Sequence, residues 1–121
     1  MLYVLPETAG DIIVVQATGT LTASDYQDTF APLMAEKIAA HGAVRCLLYL
    51  DHGFTGWEAG ALWQDAKFGI QHSKDFIRIA VVGGNDWLDW ALKTAELFTS
   101  GEAKHFSDSQ FLQALHWIDG A

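Results

Sequence analysis

Few side chains in this sequence can do chemistry, and the surroundings of each narrow what it could do. Cys46 is the only cysteine. It stands in the run Val44–Leu50, whose apolar neighbours predict a buried and unreactive thiol, because a nucleophilic thiolate needs an open, electropositive setting. One cysteine also excludes an internal disulfide framework. The histidines His41, His52, His72, His105 and His116 have no His-Glu-x-x-His or comparable ligand spacing, so neither a metal nor a cofactor is expected. The pair best placed for acid–base work is Asp51–His52, at the carboxyl end of a strand, where ligands of open α/β sheets bind. Adjacent residues in a turn seldom aim at each other. The plainer reading is an Asx-turn at Asp51 and a solvated His52. Gly53, Gly56, Gly83 and Gly84 spell neither a phosphate loop nor a dinucleotide fingerprint. An enzyme is therefore not expected.

The elements that must position these residues follow from apolar periodicity. Leu2–Leu5 is a short apolar run stopped by Pro6, which suits an edge strand. Ile12–Thr18 is rich in β-branched residues and close enough to pair with it as a hairpin, across a turn at Glu7–Asp11. Gly19–Thr20 is expected to break that strand. Thr22, with Asp25 three residues on, caps a helix whose core face is Tyr26, Phe30, Leu33, Met34 and Ile38. Pro32 should kink it near Asp28–Pro32, and His41–Gly42 should end it. Val44–Leu50 is apolar on both faces, which implies a sheet covered on both sides. A turn at Asp51–Gly56 leads to a helix over Trp57–His72. Phe76–Val82 is a strand ended by Gly83–Gly84, Trp87–Phe98 a helix, and Glu102–Phe106 a final strand. Ser107–Gln110 matches a capping box for a last helix, Phe111–Ile118. The order β-β-α-β-α-β-α-β-α predicts one α/β domain over residues 1–121, with a mostly parallel, mixed five-stranded sheet and four helices.

Two of those helices carry more apolar surface than a sheet needs. At about 100° per residue, Ala59, Leu62, Trp63, Ala66 and Ile70 form the core stripe of the Trp57–His72 helix. Trp57, Ala61 and Phe68 gather on nearly the opposite face. Along Trp87–Phe98, residues Trp90 and Leu97 extend the core face of Trp87, Leu88, Ala91, Leu92, Ala95 and Phe98 towards the polar side. The candidate ligand-binding residues are therefore Phe54, Trp57, Ala61, Trp63, Phe68, Trp87, Trp90 and Leu97, lining an apolar groove. The competing reading is packing between helices, which best suits Trp63 and Trp87. Gly60 and Gly69 each lower the stability of the first of these helices by roughly 1 kcal/mol, as suits a helix that shifts or one that packs closely.

Charge narrows the partners. Seven basic residues stand against fifteen acidic ones, a formal charge of −8. Lys37, Arg45, Lys67, Lys74, Arg78, Lys93 and Lys104 are scattered, which excludes nucleic acid as a partner. Lys67, Lys74 and Arg78 come nearest to a basic cluster, and surface salt bridges are their plainest role. No apolar run is long enough to span a bilayer and no signal peptide is recognisable, so a cytoplasmic protein is expected, peripheral to the membrane if the groove meets lipid.

A wider set of residues carries a resemblance. It comprises Gly19–Thr22 with Asp25-Tyr26, Pro32, Gly56-Trp57, Ala61–Asp65, Lys67–Gly69, Arg78–Gly83, Trp87, Phe106 and Ala114-Leu115-Trp117. In these the chain resembles the SpoIIAA-like family of small bacterial proteins, whose fold is that of the STAS domains. The resemblance implies a superhelix of βα turns, a shape like the lipid-binding CRAL-TRIO domains, a movable helix after the third strand, apolar ligand binding and membrane association. In the related anti-sigma-factor antagonists a phosphorylated serine follows the corresponding strand in an Asp-Ser-Ser-Gly-Leu-Gly type of motif. This chain has Asp51-His52-Gly53-Phe54-Thr55-Gly56. Asp51 matches, and the nearest hydroxyl, Thr55, is offset from the serine position. The leading expectation is a non-enzymatic module that binds an apolar small molecule or membrane lipid through a movable Trp57–His72 helix. The alternative is a STAS-type regulatory module with a protein partner, in which homodimerisation accounts for the apolar surface and Thr55 is a candidate phosphorylation site.

Overall fold

A computed structural model describes residues 1–57, 76–83 and 102–120, with Tyr26 and Trp57 described by their backbone alone. Its centre is a five-stranded mixed sheet in the order β1-β2-β3-β4-β5. The strands are β1 (Leu2–Val4), β2 (Ile12–Leu21), β3 (Val44–Trp57), β4 (Phe76–Gly83) and β5 (Glu102–Phe106). β1 is antiparallel to β2, as the hairpin reading requires, and β2 through β5 run parallel. The Thr8 hydroxyl clasps this hairpin, accepting from the Val14 N–H at 2.9 Å and donating to the Val14 carbonyl at 3.1 Å.

The alternation of side chains along each strand divides the core into two layers. On one face Ile13, Val15, Ala17, Val44, Cys46, Leu50, Ile79 and Val81 form a cluster with Met34 from helix α1 (Ala31–His41). Phe30, Leu33 and Ile38 pack against it half-buried. On the other face Val14, Leu47, Ala80, Val82 and Phe106 meet Ala114 and Ile118 of helix α2 (Phe111–Ile118). The two helices thus cover opposite faces, which is why Val44–Leu50 carries apolar side chains on both of its faces. Met34 and Ile118 are fully buried, and burying one such side chain is worth roughly 1.5–3 kcal/mol.

The predicted start of the first helix is present, in a segmented form. The Thr22 N–H donates to Asp25 at 3.0 Å and the Asp25 N–H to the Thr22 hydroxyl at 3.1 Å, a reciprocal cap over the short turn Ala23–Asp25. The chain then widens into a π-helical turn, Tyr26–Phe30, before α1 begins. Pro32 falls in the first turn of α1. There its missing N–H costs little, and the wide turn absorbs the irregularity that a continuous helix would have placed on the Asp28 carbonyl. Gly42 ends α1 at φ 80°. The expected boundaries of β5 and α2 are observed, and the capping box at Ser107 and Gln110 opens the 3-10 turn Asp108–Gln110 that leads into α2.

Three expectations are corrected. Gly19–Thr20 does not break β2, which continues to Leu21. Asp51–Gly56 is not a turn and Trp57 does not open a helix: β3 runs unbroken from Val44 to Trp57. The reason is non-local. Beyond the pair Ala17↔Leu50 the strands re-pair as Gly19↔Phe54, Thr20↔Gly56 and Leu21↔Trp57, so β3 uses more residues than β2 over the same span. The extra residues make bulges, and Gly19 (φ 62°) and Gly56 (φ 127°) supply backbone conformations that bulges need. Two helices are described, α1 and α2; the two expected over Trp57–His72 and Trp87–Phe98 lie, apart from Trp57, outside the described residues.

Candidate functional site

The sheet has two unlike ends. At the amino ends of β3 and β4, Arg45 and Arg78 are register partners on adjacent strands. Both reach the last turn of α2. Arg78 Nη1 donates to the Trp117 carbonyl at 2.6 Å, and Arg45 Nη1 to the Ile118 carbonyl at 3.0 Å. The Trp117 carbonyl also accepts from the Gly120 N–H at 3.1 Å, so the guanidinium is its second donor, and positive charge at this helix end also suits the helix dipole. Asp11 lies 3.4 Å from Arg45 Nε and Glu102 3.9 Å from Arg78 Nη2, which offsets the repulsion between the guanidinium groups. The Arg78 guanidinium also lies 5.0 Å from the centre of the Trp117 ring. The Arg78 side chain is only 24% exposed. It therefore closes a helix end, beyond the surface pairing expected of it; Lys67 and Lys74 lie outside the described residues.

At the carboxyl ends, β4 makes its last pair with β3 at Leu50↔Gly83. Gly83 has φ 80°, and a Cβ there would collide with the Leu50 carbonyl oxygen, so only glycine fits. β3 continues beyond this point alongside β2 and forms a crest. Three cross-element polar contacts hold it. The Gln16 amide donates to Asp51 Oδ2 at 2.8 Å. The Thr20 and Thr55 hydroxyls meet at 2.9 Å. His52 Nε2 lies 3.1 Å from Asp108 Oδ2, at the start of the 3-10 turn before α2. A fourth contact, from the Gly53 N–H to Asp51 Oδ1 at 2.9 Å, is the Asx-type bond expected of Asp51.

The Asp51 carboxylate thus faces Gln16 and Gly53 while the His52 ring faces Asp108, so the adjacent pair does not act as a unit. The His52 side chain is 88% exposed. His105, on β5, bonds the Gly83 carbonyl at 2.9 Å through Nε2, which must carry the proton. These contacts join hydroxyl to hydroxyl, amide to carboxylate and imidazole to carboxylate or carbonyl; none joins a nucleophile to a base. Cys46 is buried in β3. Among the described residues no three His, Cys, Asp or Glu side chains gather as a metal site, and no described helix is long and apolar enough to cross a membrane.

Of the candidate groove residues, Phe54 is described with its side chain. It is 8% exposed and belongs to the core cluster that also holds Met34 and Leu21. Trp57 is described by its backbone, as the register partner of Leu21. Ala61, Trp63, Phe68, Trp87, Trp90 and Leu97 lie outside the described residues. Sequence reasoning missed Gln16, Thr20 and Asp108 as partners of the crest. Gln16 left a signal: a lone amide in the apolar run Ile12–Ala17 needs a hydrogen-bonding partner on a neighbouring strand.

The family model described as SpoIIAA-like matches residues 12–119, a span that takes in the whole parallel sheet and both helices. The chain belongs to the SpoIIAA-like family. A solved structure agrees: an uncharacterized protein of the DUF3478 family from Shewanella loihica PV-4, with a SpoIIAA-like fold, is 32% identical with a TM-score of 0.71. The match covers 97% of this chain and 93% of that one. Among curated proteins none matches the chain. The resemblance drawn from Gly19–Thr22, Arg78–Gly83 and the other quoted residues is therefore correct at the level of family and fold. A SpoIIAA-like fold is, at that coarse level, the scaffold of a binding or regulatory module.

Proposed function

We propose that this SpoIIAA-like protein is a non-enzymatic regulatory module that recognises a protein partner through the crest of β3. The observation that carries the reading is the continuation of β3 past its last pair with β4, which leaves His52, Gly53 and Thr55 exposed on a bulged strand held from behind by Gln16 and Thr20. Bulges of this kind aim side chains outward at functional edges. Thr55 is the hydroxyl nearest the position that carries phosphate in the related antagonists. A phosphate there would add nearly two negative charges where Thr20 now accepts or donates one neutral hydrogen bond. The test is capture of partners from the native cell by the immobilised protein and by Thr55→Glu, with circular dichroism confirming that both are folded. Capture by the wild type and at least tenfold weaker capture by the variant is expected, a loss of about 1.4 kcal/mol or more. Equal capture by both, or none by either, overturns the reading.

A second reading is favoured by a different observation. Trp57 ends β3 at the far end of the crest, and in the sequence that follows Ala61 and Phe68 are spaced seven apart, as on one face of a helix, away from the stripe Ala59, Leu62, Trp63, Ala66 and Ile70. An apolar ligand or a lipid surface meeting that face would draw its affinity from hydrophobic burial. Titration with fatty acids and with liposomes, followed by tryptophan fluorescence, tests it. A saturable response lost in Trp57→Ala supports it, and no response at any lipid concentration removes it.

A further inference from the structure

We draw no further inference here: the strongest candidate, the outer edge of β1, where Tyr3 and Val4 stand half-exposed in a stretch without ionised side chains, is an unpartnered apolar edge, and nothing in the structure shows what covers it.

Discussion

The two ends of the sheet use polar groups in opposite ways. At the amino ends of β3 and β4, Arg45 and Arg78 spend their donors on the carbonyls of Trp117 and Ile118, and both are largely enclosed. At the carboxyl ends, the Thr20–Thr55 and His52–Asp108 contacts lie at the surface. Charge at the first end is committed to holding α2 on the sheet. Polar groups at the second end are within reach of another molecule, because little of their interaction energy is tied up in the fold. The contrast separates residues whose loss should cost stability from residues whose loss should cost binding.

Gly83, where the regular pairing of β3 and β4 stops, should give the largest effect. Gly83→Ala would force a Cβ against the Leu50 carbonyl at a positive φ. A loss on the order of 3 kcal/mol is expected, read from the urea midpoint. A loss below about 0.5 kcal/mol would mean that the crest can shift away from β4 without disturbing the sheet.

Next come the arginines. Arg78→Met keeps most of the aliphatic stem and removes the donors to Trp117. It should cost about 2 kcal/mol, since hydrogen bonds from charged groups to helix-end carbonyls are among the stronger ones. Hydrogen exchange in α2 should rise with it. If Arg45→Met and Arg78→Met together cost no more than either alone, the two guanidinium groups act as one clamp; independent effects would add.

The reciprocal cap at Thr22 and Asp25 is a smaller contributor. Thr22→Ala should cost about 1 kcal/mol. Burial pushes the Asp25 carboxyl up, but hydrogen bonding from Thr22 and the nearby terminal ammonium outweigh it, so its pKa in the folded protein lies below the ordinary value. The stability it contributes is therefore present in full above the ordinary carboxylate range and is lost as pH falls through the folded-state pKa. Asp25→Asn should be less stable than the wild type at neutral pH, and the gap should close in strong acid. A gap independent of pH would assign the effect to shape and not to charge.

The crest should give the smallest change in stability. Thr20→Val and His52→Ala are expected to shift the unfolding free energy by no more than about 0.5 kcal/mol, as substitutions at exposed positions do. If either destabilised the protein as much as Arg78→Met, the crest would be a structural clamp like the opposite end, and the comparison would fail.

Much of the fold was legible because its signals are local. The Ser107–Gln110 box, the alternation in Glu102–Phe106, and the helical spacing of Phe111, Ala114, Leu115 and Ile118 each lie within one or two turns of chain. The crest was not legible for the opposite reason. Gly53 and Gly56 are turn formers by any local rule, and only pairing with Gly19–Leu21, more than thirty residues earlier, keeps them in a strand. Phe54, expected along the apolar groove, stands in the extended part of β3 and packs into the core.

By itself the sequence determined the α/β class, the hairpin, the position of β5 and α2 and the two caps, because apolar period and capping chemistry act over a few residues; the SpoIIAA-like family came instead from a resemblance in residues spread over nearly the whole chain. Only the tertiary structure decided how far β2 and β3 extend, which helix end receives Arg45 and Arg78, and which side chains hold the crest. Those depend on partners from 35 to 73 positions away, and a contact closed over such a span is set by how the whole sheet assembles and not by the residues on either side of it.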